Sequence, residues 1–319
     1  YFMVIGGKVH RNSRSRAGVM LYRALNQDLT EWQFVNVLYE WPDAGTRSLE
    51  CPNLFRFGDT WLLFFSYHPP PTRTAYLIGT FDTETYTFNP ERQGSLDLSP
   101  MGVYAPQAMR DEKERVILFG WVRPAGWYPD GGKSWCGCMT LPRTLSLDTN
   151  GQLRQEPVQE LEGLRGRHYS WSDLSPGPTG QVLEGVGGDV LEIIVEFGPV
   201  VRGVCGLKVR RSADGKNAVT VGYDGKQIYF TGADPKGLFA STGGVSAGSD
   251  YHIAIQRVDS DSQFRLHLFI DKCVLELYVD RRFCMTRSVY CSPEDLGIEV
   301  FAPDGAQIRS LDIWEMKPA

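Results

Sequence analysis

The sequence predicts an all-β chain in two parts, and three observations lead there. No window of about a dozen residues holds the i, i+3, i+4, i+7 apolar stripe of an amphipathic helix. Short apolar runs recur instead between turn signals, as strands do. From about Leu183 onward the runs alternate cleanly, the pattern of sheets with one buried face. At 319 residues the chain has room for two domains.

The elements follow in order. Tyr1–Gly6 reads as a strand. Trp61–Tyr67 follows Gly58-Asp59, Ala75–Phe81 follows Pro69-Pro70-Pro71, Val116–Val122 follows the charged stretch Asp111–Arg115, and Leu141–Leu147 ends at Asp148–Gly151. Strands grouped between long polar loops suit propeller blades, so residues 1–158 are expected to form a β-propeller portion. Residues 159–180, with Leu161 to Leu164 and then Ser175-Pro176-Gly177-Pro178, read as a linker with one helical turn. Residues 181–319 read as a β-sandwich. There Leu191, Ile193, Val195 and Phe197 alternate, and Val219, Val221 and Tyr223 alternate up to Asp224-Gly225, a strong hairpin signal, before Ile228–Phe230. Phe264–Ile270 then returns through Asp271-Lys272 into Val274–Val279.

Composition narrows the function. Hydrophobic residues are 42% and charged residues 22%, ordinary for a folded soluble chain. Apolar runs such as Trp61–Phe65 are too short to span a bilayer, so no membrane partner is expected. A net charge of −5 offers no basic excess for a phosphate backbone, so no nucleic-acid partner is expected. The seven cysteines are odd in number, and Cys136-x-Cys138 lacks zinc-site spacing, as do the five histidines. No metal and no cofactor are expected. Lone thiols lean toward a reducing, cytoplasmic compartment. The chain opens at Tyr1 inside a strand, as a piece of a longer protein would, and that start leaves secretion open.

The sharpest local feature is Glu50-Cys51-Pro52-Asn53-Leu54-Phe55, just ahead of the aromatic strand at Trp61. Pro52 is expected to hold Cys51 extended and to place Glu50 at a strand entrance. A glutamate among apolar neighbours can have a raised pKa and donate a proton as a general acid.

This hexapeptide resembles the Glu-Cys-Pro-Asp-Leu-Phe motif of glycoside hydrolase family 32, the β-fructosidases. Further segments match that family in order: Tyr1–Gly7, Leu21-Tyr22-Arg23 with Asp28-Leu29 and Trp32, Tyr104-Ala105-Pro106-Gln107, Ile117–Trp121, Thr140–Leu147 with Gly151–Arg154, and Leu268–Val279. The resemblance spans nearly the whole chain. It implies part of a five-bladed β-propeller followed by a C-terminal β-sandwich, and retaining hydrolysis of terminal β-fructosyl groups from sucrose or fructans. It makes Glu50 the acid/base, places Tyr104 and Trp121 among substrate-binding aromatics, and lets Cys51 tune the pKa of Glu50.

The sequence also departs from the family. The nucleophile motif Trp-Met-Asn-Asp-Pro-Asn-Gly and the substrate-gripping Arg-Asp-Pro motif have no counterpart, so no nucleophile is assigned. Trp127 to Gly131 has similar letters in another order, and Asp130 is not taken as the nucleophile. The expectation is a chain that begins after those motifs, with an N-terminal propeller piece or self-association covering its open side. Two other readings stand beside the glycosidase: a fructan-binding truncated propeller without catalysis, and a piece that completes a propeller in trans.

Overall fold

The computed structural model describes residues 1–11, 14–68, 73–99, 102–123, 136–199, 203–232, 251–255 and 263–318. Pro69-Pro70-Pro71 and the stretch from Trp127 to Gly131, with Asp130, lie outside the described residues. Among the described residues the regular structure is nearly all β, as expected, with a 3-10 turn at Gln159–Leu164. Among the described residues no helix is long and apolar enough to cross a membrane. The chain divides into two compact units, Tyr1–Trp121 with Cys138–Arg154, and Val122–Gly137 with Gln155–Ala319.

The first unit carries three antiparallel sheets in succession, the pattern of consecutive propeller blades. The first sheet is β1 (Phe2–Arg11), β2 (Arg14–Ala24) and β3 (Trp32–Glu40). The second is β4 (Ser48–Phe57), β5 (Thr60–His68), β6 (Arg73–Asp82) and β7 (Thr87–Ser95). The third holds β8 (Val103–Arg110), β9 (Val116–Val122), β10 (Cys138–Met139), β11 (Arg143–Leu147) and β12 (Leu153–Pro157).

The middle sheet explains the run Leu62-Leu63-Phe64-Phe65, which is apolar without alternating. Successive side chains on a strand point to opposite faces. Leu63 and Phe65 pack with Val19, Leu21 and Leu38 of the first sheet. Leu62 and Phe64 pack with Val116, Leu118 and Leu145 of the third. All four residues of the run are fully buried, so β5 has a core on each side. Each such side chain contributes about 1.5–3 kcal/mol of burial.

The stack brings the first strands of the blades side by side. A Cβ added at Gly6 of β1 would sit 1.7 Å from the Leu49 carbonyl oxygen of β4, so only glycine permits this approach. On β11, the fully buried Arg143 guanidinium lies 3.4 Å from the equally buried Asp97 carboxylate. Asp97 also accepts the Ser99 N–H at 3.0 Å.

The second unit is a pair of six-stranded sheets. One is ordered β13 (Arg165–Leu174), β24 (Ile308–Met316), β15 (Val190–Phe197), β20 (Phe264–Asp271), β21 (Val274–Val279) and β22 (Phe283–Ser288). The other is ordered β14 (Gln181–Gly187), β23 (Gly297–Phe301), β16 (Cys205–Arg211), β17 (Val219–Tyr223), β18 (Gln227–Thr231) and β19 (Tyr251–Ala254). The alternating residues Ile193, Val195, Leu266 and Leu268 are fully buried, as are Val221 and Phe230. Gly225 has φ +93° and β17 pairs with β18 from Tyr223 and Ile228, the hairpin that Asp224-Gly225 announces.

The stretch 159–180 differs from the expected linker. After its 3-10 turn, Arg165–Leu174 is the edge strand of a six-stranded sheet, paired with β24. Its polar and aromatic letters hid it, because an edge strand with little buried surface needs no apolar alternation.

On the sandwich strand β15, Glu192 points away from the alternating apolar row. Its carboxylate accepts Arg165 Nε at 2.7 Å and lies 2.8 Å from His267 Nε2. Burial pushes Glu192 up, but Arg165 and His267 outweigh it and hold the carboxyl below its usual range. Burial holds His267 below its usual value.

Two outcomes follow. Phe64→Ala is expected to destabilise the first unit by about 3–5 kcal/mol in urea unfolding, whereas the half-exposed Phe34→Ala is expected to change stability by less than about 1 kcal/mol. Both Glu192 and His267 have folded pKa values below their unfolded ones. Their stabilisation is therefore present at neutral pH and lost as pH falls from each group's unfolded value through its lower folded value, histidine first and glutamate after it. The sandwich transition temperature is expected to drop below about pH 6.5 and again below about pH 4.5, and a Glu192→Gln chain is expected to lose the second, more acid part of that drop.

Candidate active site

Glu50 lies on β4 at the edge of its sheet, next to an irregularity in the ladder. Pairing with β5 runs Ser48↔His68, Leu49↔Tyr67 and Glu50↔Ser66, then resumes at Asn53↔Phe64. The intervening Cys51 has φ +51°. The expected extended geometry of Cys51 is thus corrected to a left-handed one. Pro52 does bias its neighbour toward extended backbone, but the bulge overrides it because a second interaction holds the turn. Asn53 donates from Nδ2 to the Cys51 carbonyl at 2.9 Å.

The same device recurs on β8. There Ala105 precedes Pro106 and has φ +48°. Glu50-Cys51-Pro52 and Tyr104-Ala105-Pro106 therefore present their leading side chains from equivalent positions of two consecutive sheets. Asn53 fastens the two strands together: Nδ2 also donates to the Pro106 carbonyl at 3.1 Å, and Oδ1 accepts the Ala108 N–H at 3.2 Å. The Ala105 N–H donates to Ser66 Oγ on β5 at 2.9 Å.

This arrangement joins Glu50 and Tyr104. The Tyr104 hydroxyl donates to Glu50 Oε2 at 2.5 Å, and Ser48 Oγ donates to Oε1 at 2.6 Å. Glu50 is half-buried. Burial pushes its carboxyl up, but the two hydroxyl donors and the charge of His68 act the other way, and the net direction is down. The raised value expected from apolar neighbours is thus corrected: hydrogen bonds to the charged form win over desolvation. The tuning expected of Cys51 falls to Ser48, Tyr104 and His68, while Cys51 contributes its backbone turn and a free thiol.

Trp121 is half-buried at the end of β9, the strand paired with β8. Its neighbour Gly120 packs on β8, where an added Cβ would lie 2.3 Å from Val103 Cγ1 and 3.6 Å from the Tyr104 carbonyl. Trp121 therefore shares the Tyr104 region, one strand removed from the Glu50 carboxylate. Ser48, His68 and Asn53 were missed by sequence reasoning. Ser48 stands two residues before Glu50 and so shares its strand face, a signal the sequence did carry.

Among the described residues no group of three or more His, Cys, Asp or Glu side chains could hold a metal ion. What the site can do is move a proton: one carboxyl held by two hydroxyls, open to solvent on its remaining side. Asn53→Ala would leave two carbonyls and an N–H without their partner, and is expected to destabilise the first unit by about 2 kcal/mol or more, read by urea unfolding.

The profile of the glycosyl hydrolases family 32 N-terminal domain matches residues 1–157, and that of the family 32 C-terminal domain matches residues 160–315. The sucrose-6-phosphate hydrolase of Escherichia coli is 26% identical over 99% of this chain and 64% of its own length. The levanase of Bacillus subtilis is 26% identical over 94% of the chain and 47% of its own length. Fructan 1-exohydrolase IIa from Cichorium intybus superposes with a TM-score of 0.80 at 19% identity, covering all of this chain and 70% of the other. The chain spans 63% and 64% of the lengths of two sucrose-6-phosphate hydrolases that it matches end to end. With a family profile on each of its two parts, the chain belongs to glycoside hydrolase family 32.

Proposed function

We propose that the chain carries the general acid/base of a β-fructosidase that releases terminal β-fructosyl groups from sucrose or fructans with retention. The observation that carries this reading is the Glu50 carboxyl, set at a bulged strand and hydrogen-bonded by Tyr104 from the next sheet. The relatives named as sucrose-6-phosphate hydrolase, levanase and fructan exohydrolase support a fructoside substrate.

In the first half of retaining hydrolysis a protonated Glu50 gives its proton to the leaving glycosidic oxygen. In the second, the carboxylate takes a proton from the water that releases fructose. Retention also needs a nucleophilic carboxylate roughly 5–5.5 Å away. The sequence assigns none, since the two family Asp motifs are not present in it. Substrate lying on the half-exposed carboxyl would remove water from it and strengthen the burial effect, so its pKa rises in the complex.

Three outcomes test this. In an enzyme assembled with the propeller blades that carry the nucleophile, Glu50→Gln is expected to lower sucrose turnover by at least about 10²-fold. Fructosyl fluoride, whose leaving group needs little protonation, is expected to be affected less; equal losses would remove Glu50 from the acid role. In the same enzyme the alkaline limb of kcat is expected at higher pH than that of kcat/KM, because the first reports the complex and the second the free enzyme. Coincident limbs would count against substrate-driven protonation.

The 319 residues by themselves are expected to release no reducing sugar from sucrose or inulin at an enzyme's normal rate. A second reading, completion of a propeller in trans, is favoured by the outward face of the first sheet, where Ile5 and Phe34 are exposed. Activity that appears only on mixing with a fragment bearing the other blades would support it. Normal turnover by the chain alone would show that the nucleophile lies within it.

A further inference from the structure

The Glu50 carboxylate is gripped on both oxygens, and the two grips differ in origin. Tyr104 comes from the neighbouring sheet and belongs to a segment shared with the family resemblance. Ser48 comes from β4 itself, two residues before Glu50 and on the same face of the strand. Ser48 is half-buried and pairs across the ladder with His68 at the end of β5. Its hydroxyl lies 2.6 Å from Oε1, a short distance of the kind seen when a hydroxyl donates to a charged carboxylate.

We propose that Ser48 is a positioning residue of the acid/base centre, fixing Oε1 of Glu50 so that Tyr104 meets Oε2 in one orientation. This rests on the acid/base reading of Glu50. The strand geometry makes the role local. Residues i and i+2 lie on one face with little freedom between them, so the Ser48 hydroxyl needs no loop or long side chain to stay in place. A hydroxyl also suits both halves of the cycle: it donates to the carboxylate and, by rotating, accepts from the carboxylic acid. Ser48 thus holds the group in the same place whether or not it carries its proton.

The titratable groups that bear on Glu50 from neighbouring strands are Tyr104 on β8 and His68 on β5. On β1, Lys8 is directed instead to the Thr46 carbonyl at 3.5 Å. Removing the Ser48 hydroxyl leaves burial opposed by Tyr104 and His68 alone. The carboxylate loses a donor, so its protonation midpoint moves up.

The test is a titration of Glu50 itself, in the 319-residue chain labelled with 13C at the glutamate carboxyl carbons. The Glu50 signal is assigned by its disappearance in Glu50→Gln. In Ser48→Ala its midpoint is expected to rise by about half to one pH unit, and in Ser48→Thr, which restores the hydroxyl, to return to within about 0.2 unit of the parent. Ser48→Cys keeps the volume with only a weak donor and takes the place of the alanine variant if that chain does not fold. An unchanged midpoint in the donor-deficient variant, or an equal rise in the threonine variant, overturns the proposal. In the assembled enzyme, Ser48→Ala is expected to move the alkaline limb of kcat/KM upward by the same amount. The two readings fail separately. A flat titration removes the role of Ser48 and leaves Glu50 as the acid, whereas full turnover by Glu50→Gln removes the acid role whatever the titration shows.

Discussion

The first unit depends on one constraint: the middle sheet must be buried on both faces. β5 meets it with Leu62 and Phe64 on one side and Leu63 and Phe65 on the other, all without solvent exposure. A sheet clamped in this way is held between two cores, and the ladders of β5 with β4 and β6 set its register. Register in β4 follows from register in β5, and the position of Glu50 follows from β4. The backbone that carries the site is therefore placed by packing one strand away from it, before its polar contacts act.

Polar contacts then do the finer work, and Asn53 does most of it. Two left-handed residues before prolines, Cys51 and Ala105, are unfavourable conformations on the order of 1–3 kcal/mol each. They persist because the surroundings over-determine them. Asn53 is itself buried and uses both ends of its amide, donating to Cys51 and Pro106 and accepting from Ala108. A carboxylate in its place has no hydrogen to donate and could not hold those two carbonyls in the same way. The family motif quoted for this stretch has Asp here, so this chain ties the two bulges together with its own chemistry.

The sequence shows the sandwich well, and for a physical reason. Strands such as Leu191–Phe197 and Phe264–Ile270 face the core with every second residue, which writes their fold directly into the alternation. The edge strand Arg165–Leu174 has little to bury, so its letters carry no such record and it passed for a linker. At the site, Glu50 and Tyr104 could be named from motifs, but the contact between them could not, because it depends on stacking two sheets. Ser48 was within reach of strand periodicity. His68 was not, since only the β4–β5 ladder brings it opposite Ser48.

The protonation of Glu50 shows why neighbouring letters mislead. Its chain neighbours Leu49 and Cys51 suggested an apolar pocket and a raised pKa. On a strand, however, the adjacent residues point to the other face, and the residues that surround a side chain are those two away and across the ladder. For Glu50 these are Ser48 on its own strand, with His68 and Tyr104 acting from β5 and β8. Two of the three donate hydrogen bonds and the third acts electrostatically in the same direction, so the carboxylate is favoured even though burial opposes it. A carboxyl held in this way rests in its charged form. In the proposed acid/base role its protonation would come with substrate, which displaces water from the open side and strengthens the burial effect.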